Sequence, residues 1–92
     1  MSLEKLHLPN NLVTIPNECF QNCYKLKTLI LPKSIEIIGT SAFAGCIALR
    51  DIRYDGTIEE WNRITKKPQI WHNVPARIVY CSDGTGKLRI QK

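Results

Sequence analysis

No stretch of this chain is apolar enough to cross a bilayer. The longest run without a charged residue, Ile37 to Leu49, has 13 residues, where a spanning helix needs about 18–20. The first residues, MSLEKLHLPNN, hold no apolar run of signal-peptide kind, so they carry no export signal. There is no acceptor triplet for N-glycosylation. Histidine occurs only twice, and no Gly-x-Ser-x-Gly elbow is present. The adjacent carboxylates Glu59-Glu60 read as helix-start chemistry, not as an acid–base pair. Gly84-Thr85-Gly86-Lys87 lacks the spacing of a phosphate loop and runs into a strand-like Leu-Arg-Ile, so it reads as a turn. These absences remove the usual signatures of catalysis, and no cofactor is expected.

Of the four cysteines, only Cys19 and Cys23 are close in sequence. Zinc would need further ligands, with His72 the one conceivable addition, and no second close pair exists. No metal site is expected, and the four cysteines are read as free thiols. A disulfide between Cys23 and Cys46 would be within reach if their segments stacked, but parallel side chains in a ladder aim poorly at each other.

What the chain does have is 92 residues, enough for one domain, with 43% hydrophobic and 23% charged residues, an ordinary globular balance. Net charge is +5, and it is uneven. Residues 1–48 hold four Lys/Arg against three Asp/Glu, and residues 49–92 hold nine against five. A basic half admits an acidic partner, nucleic acid included. Trp61, Arg63, Lys66, Lys67 and Trp71 interleave aromatics with cations, as binders of single-stranded nucleic acid do. The plainer reading puts both tryptophans in the core and leaves the lysines as a solvated face.

The dominant feature is repetition. Leu3, Leu26 and Leu49 are spaced by 23 residues, and the first two units agree at Leu6/Leu29, Leu8/Leu31, Pro9/Pro32, Leu12/Ile35, Ile15/Ile38, Phe20/Phe43 and Cys23/Cys46. The third unit keeps Leu49, Ile52 and Tyr54 and then departs. Leu6-His7-Leu8, Leu29-Ile30-Leu31 and Ile52-Arg53-Tyr54 alternate as short strands, and the prolines end the first two. Asn17 and Thr40 suit the N-cap of a short helix, from which Phe20 and Phe43 point inward. Asn22 and Gly45 suit a left-handed turn. Such a unit buries its apolar face only by stacking on a neighbour, so the expected fold is an α/β repeat solenoid of short strands and short helical turns. Its units are 3–25, 26–48 and a divergent 49–92.

Within that last unit, Thr57-Ile58-Glu59-Glu60 is a capping box, and Ile58, Trp61 and Ile64 give one amphipathic helix stopped by Pro68. Arg77 to Cys81 reads as a strand and Leu88 with Ile90 as a second, joined through Asp83-Gly84 and Gly86. Helix and hairpin would close the solenoid, with Lys87, Arg89 and Lys92 blocking further edge pairing. Before the first unit no polar cap is visible. The chain is therefore expected to be the C-terminal piece of a longer protein, or to self-associate through Leu3 to Leu12.

The pattern Leu-x-x-Leu-x-Leu-Pro, an apolar pair three apart, then Phe-x-Asn/Gly-Cys resembles the BspA-type leucine-rich repeat, and Ile52 to Thr57, Glu60-Trp61, Ile64 and Ile78 to Gly84 are similar to the unit that closes such solenoids. The resemblance implies a bacterial or protist protein, often secreted or at the cell surface, that engages other proteins or host matrix. It implies a non-catalytic interaction or structural module. In the strand register, side chains pointing away from the core form columns: Glu4/Lys27/Arg50, Lys5/Thr28/Asp51 and His7/Ile30/Arg53. Lys5, His7, Thr28, Ile30, Asp51 and Arg53 are the expected partner-binding residues on a concave face, with Ile30 the apolar anchor. The alternative is a basic module for nucleic acid or another polyanion.

Overall fold

The structure, a computed structural model, describes residues 3–88. Its elements, in chain order, are β1 (Lys5–His7), β2 (Thr14–Ile15), β3 (Thr28–Leu31), β4 (Ile37–Ile38), β5 (Asp51–Tyr54), α1 (Ile58–Arg63), β6 (Thr65–Lys66), β7 (Ile78–Cys81) and β8 (Gly84–Lys87). They form a solenoid of about three turns. One wall is a five-stranded sheet in the order β1-β3-β5-β7-β8, and another is a three-stranded sheet in the order β2-β4-β6. All neighbours are parallel except β7 and β8.

The 23-residue period becomes the register. Leu6 lies beside Leu29 and Leu29 beside Ile52, all on the inner face, where Leu29 and Ile52 are fully buried. Stacking continues away from the strands. The rings of Phe20 and Phe43 lie 5.4 Å apart and nearly parallel, and Trp71 extends the pile 5.5 Å beyond Phe43. Cys23 and Cys46 are buried in the core, and the Cys46 thiol donates to the Phe20 carbonyl at 3.2 Å. Burial pushes the Cys46 thiol up to about 11.

The segments after β2 and β4 are trains of tight turns rather than the short helices expected at Asn17 and Thr40. Backbone N–H groups donate three residues back, from Cys19 to Pro16, Gln21 to Glu18 and Cys23 to Phe20, with the same series from Ala42 to Cys46. Left-handed residues break any helix there: Glu18 and Asn22 in the first train, Ser41 and Gly45 in the second. Asn17 does not cap a helix. Its Oδ1 accepts from the Thr40 N–H at 2.8 Å, tying one turn of the solenoid to the next. Gly39 sits so close to Asn17 that a Cβ would stand 2.6 Å from the Asn17 amide nitrogen.

The third unit departs from the period only briefly. Leu31 pairs with Tyr54, a step of 23 residues, whereas Ile37 pairs with Thr65, a step of 28. The connection between the two strands is five residues longer here and holds α1, and the solenoid then resumes. Trp71 takes the place of the phenylalanines and Val74 that of the cysteines. Gln69 and Asn73 take up the left-handed positions. On the inner wall Lys66 stands in register with Ile15 and Ile38. Its stem continues their column, and its ammonium donates to the Trp61 and Ile64 carbonyls over the Trp61 ring. That burial lowers its pKa.

Helix α1 has the expected capping box: the Thr57 hydroxyl accepts from the Glu60 N–H, and the Glu60 carboxylate accepts from the Thr57 N–H at 2.9 Å. Trp61 and Ile64 are buried. The hairpin differs from expectation. Its turn is Ser82-Asp83, and the second strand is Gly84–Lys87, so the residues read as a turn pair directly with β7. Gly84 opens this strand with φ +140°, a conformation that L-residues rarely adopt, and the strand lies against Ile58 and Val79. Leu88 is buried just beyond it; Ile90, Arg89 and Lys92 lie outside the described residues.

Candidate functional site

Strand alternation puts every second side chain of the five-stranded sheet on its outer face. Lys5, Thr28 and Asp51 are neighbours in register, and so are His7, Ile30 and Arg53. All six expected residues thus share one surface. Lys5, His7 and Arg53 are exposed, and Thr28, Ile30 and Asp51 are half-buried. At the start of the strands Lys27 and Glu4 form an ion pair of 3.5 Å, open to solvent and worth little to stability.

The sheet adds residues that the sequence did not single out. Arg53 pairs with Tyr80 across β5 and β7, and Tyr80 with Thr85 across the hairpin. Tyr80 is 44% exposed and Ile78 38%, so β7 turns two large apolar groups outward while Val79 goes into the core. The signal was present in the alternation of Ile78-Val79-Tyr80. It was not read as part of the face because the broken period hid that β7 is the next strand of the same sheet.

Arg53 is the most constrained side chain on this face. Its Nε donates to both carboxylate oxygens of Asp51, at 3.1 and 3.3 Å. Its guanidinium carbon lies 5.9 Å from the centroid of the Tyr80 ring, within cation–π range. Beside the sheet runs a shallow groove of about 530 Å³ lined by Tyr24, Lys27, Thr28, Ile47, Ala48, Arg50 and Asp51. Thr28 and Asp51 belong to both surfaces. Tyr24 and Ile47 are among the most exposed large hydrophobic residues described, at 58% and 56%.

Other candidate chemistry is absorbed by the fold. Trp61 and Trp71 are buried and cannot stack on bases, while Arg63 and Lys67 remain on the surface. Glu60 serves the helix start and faces Lys33 at 3.4 Å, and Glu59 pairs with Arg63. Cys19 is exposed, Cys23 is buried, and His72 is exposed on the third train of turns. Among the described residues no three His, Cys, Asp or Glu side chains cluster as metal ligands do. Among the described residues no helix is long and apolar enough to cross a membrane.

The family model described as BspA type leucine rich repeat region (6 copies) matches residues 1–65. The match thus ends inside β6, while the stacking of Trp71, Val74 and Val79 carries the solenoid further. No curated protein and no solved structure matches the chain.

Proposed function

Because the chain belongs to the BspA-type leucine-rich repeat family, we propose that it is a non-catalytic interaction module that engages a partner protein through the outer face of its five-stranded sheet. The carrying observation is the register that sets Ile30, Arg53 and Tyr80 side by side on three adjacent strands. Parallel strands stacked on a ladder of buried side chains make a stiff platform, so these groups meet a partner already in place. Apolar Ile30, Ile78 and Tyr80 offer area to bury, and Lys5, Asp51 and Arg53 around them offer orientation. Family membership also supports a setting at the cell surface.

The basic character of residues 49–92 supports the other reading, attachment to a polyanion. The two readings part on salt. Binding to phosphates weakens steeply as salt releases less counterion entropy, whereas an apolar anchor persists.

The test is selection of a displayed random-peptide library on the 92-residue chain, followed by binding of the enriched peptides to the Ile30→Glu variant. The expected result is enriched peptides that lose about tenfold or more in affinity on the variant, a loss typical of an anchor residue, and that keep their binding in 0.5 M salt. Enriched peptides that bind the variant equally well would place the site elsewhere. Binding confined to a random single-stranded oligonucleotide, and abolished by salt, would favour the polyanion reading.

A further inference from the structure

We infer that Arg53 is a preorganised anchor for a carboxylate, and that the partner presents it as an acidic side chain flanked by apolar ones in a peptide segment laid across the sheet. This rests on the reading of the outer sheet face as the interaction surface and names the chemistry that face selects.

A free surface arginine samples many rotamers, and ordering it opposes binding. Arg53 is already held. Asp51 takes its Nε, and the Tyr80 ring lies under the guanidinium. Its two Nη groups have no acceptor among the described residues, and they form the edge of the fork that a carboxylate meets with two parallel hydrogen bonds. Ile30 and Tyr80 flank Arg53 on the neighbouring strands, at about 4.8 Å spacing. A carboxylate bound there would have an apolar wall on either side.

Charge favours the same ligand. Among the described strand residues of this face Lys5, Arg53 and Lys87 stand against Asp51, the Glu4 carboxylate at the strand starts is matched by Lys27, and Lys87 lies beside Ile78 in the hairpin. The surplus is positive, so an anion is drawn in. A closely charged polyanion fits poorly: its neighbouring phosphates would meet Asp51 and the apolar Ile30 and Tyr80. An isolated carboxylate between apolar groups meets the fork and buries its flanks.

The experiment titrates the ¹⁵N-labelled chain with a synthetic peptide carrying one glutamate with a leucine two residues to either side, so that the three share a face when the peptide is extended, with its glutamine counterpart, and with a short single-stranded oligonucleotide. The Arg53 Nε–Hε resonance and the backbone amides are followed. The expected result is a shift of the Arg53 resonance with the glutamate peptide and an affinity about tenfold above that of the glutamine peptide. Arg53→Lys, which keeps the charge and loses the fork, should remove about tenfold of the affinity, whereas Lys87→Gln should remove less than about threefold. Arg53 is exposed, so the variant's amide spectrum should otherwise match the parent.

Equal affinity for both peptides, or an unchanged affinity in Arg53→Lys, would overturn the anchor; if the amides of 28–30 and 78–80 still shift, the interaction surface stands without it. An unshifted Arg53 resonance would likewise overturn the anchor alone, whereas shifts confined to residues outside the sheet would overturn both. Preferential binding of the oligonucleotide would replace the peptide ligand by a polyanion.

Discussion

Gly45 has φ +78°, and a Cβ built on it would stand 2.1 Å from Asn22 Oδ1. Two costs fall on Gly45→Ala: a left-handed backbone for an L-residue, about 1–2 kcal/mol, and a collision between adjacent turns of the solenoid. The expected loss is about 2 kcal/mol or more in urea unfolding. Asn22→Gly removes the obstructing side chain, so the cost of Gly45→Ala should shrink in that background, and a double-mutant cycle reads the difference. Additive losses would mean that the two turns do not touch there. This position was legible in the sequence, since Asn and Gly at matching places point to a left-handed turn. Glu18 and Ser41, equally left-handed, were not legible: nothing in a glutamate or a serine announces that backbone, and it is stacking of one turn on the next that imposes it.

Helix α1 shows how a local rule survives while the repeat around it breaks. Its six residues are too few to hold a helix alone, so the capping box and the burial of Trp61 carry it. Thr57→Ala should cost about 1 kcal/mol, measured by denaturant unfolding. The Glu60 carboxyl, bonded to the Thr57 N–H and facing Lys33, is held below its ordinary value of 4.5. The unfolded chain therefore binds the proton first as pH falls. Stability from this group is complete above 4.5 and is lost as pH drops through the lower folded value. Unfolding midpoints should fall less steeply over that range in Glu60→Gln than in the parent; identical slopes would remove Glu60 from the acid response. The capping box could be read from four residues. The return of the third unit could not, because five inserted residues shift the register. Its trace was nonetheless there: Phe20-Gln21-Asn22-Cys23, Phe43-Ala44-Gly45-Cys46 and Trp71-His72-Asn73-Val74 share one pattern once the period is allowed to stretch.

At the scale of the molecule, two surfaces remain unspent. The first turn of the solenoid leaves Leu6, Leu12 and Phe20 partly buried and Leu3 and Val13 exposed, with β1 at the edge of the sheet. We propose that a second copy of the 92-residue chain packs there. Light scattering at two concentrations should show mass rising toward a dimer, and Leu12→Glu should return it to the monomer. A monomer at both concentrations would dismiss this association. The second surface is the outer sheet face, and it bears the central claim. Its columns were legible because period and alternation fix them together; the contribution of Tyr80 was not, since it depends on the resumed register. The most direct measurement is an amide chemical-shift map of the ¹⁵N-labelled chain bound to a peptide selected from the displayed library. The account predicts shifts gathered on residues 5–7, 28–30, 51–53 and 78–80. Shifts gathered instead around Lys66, Gln69, Trp71 and His72, which line a groove at the far end of the stack, would contradict it.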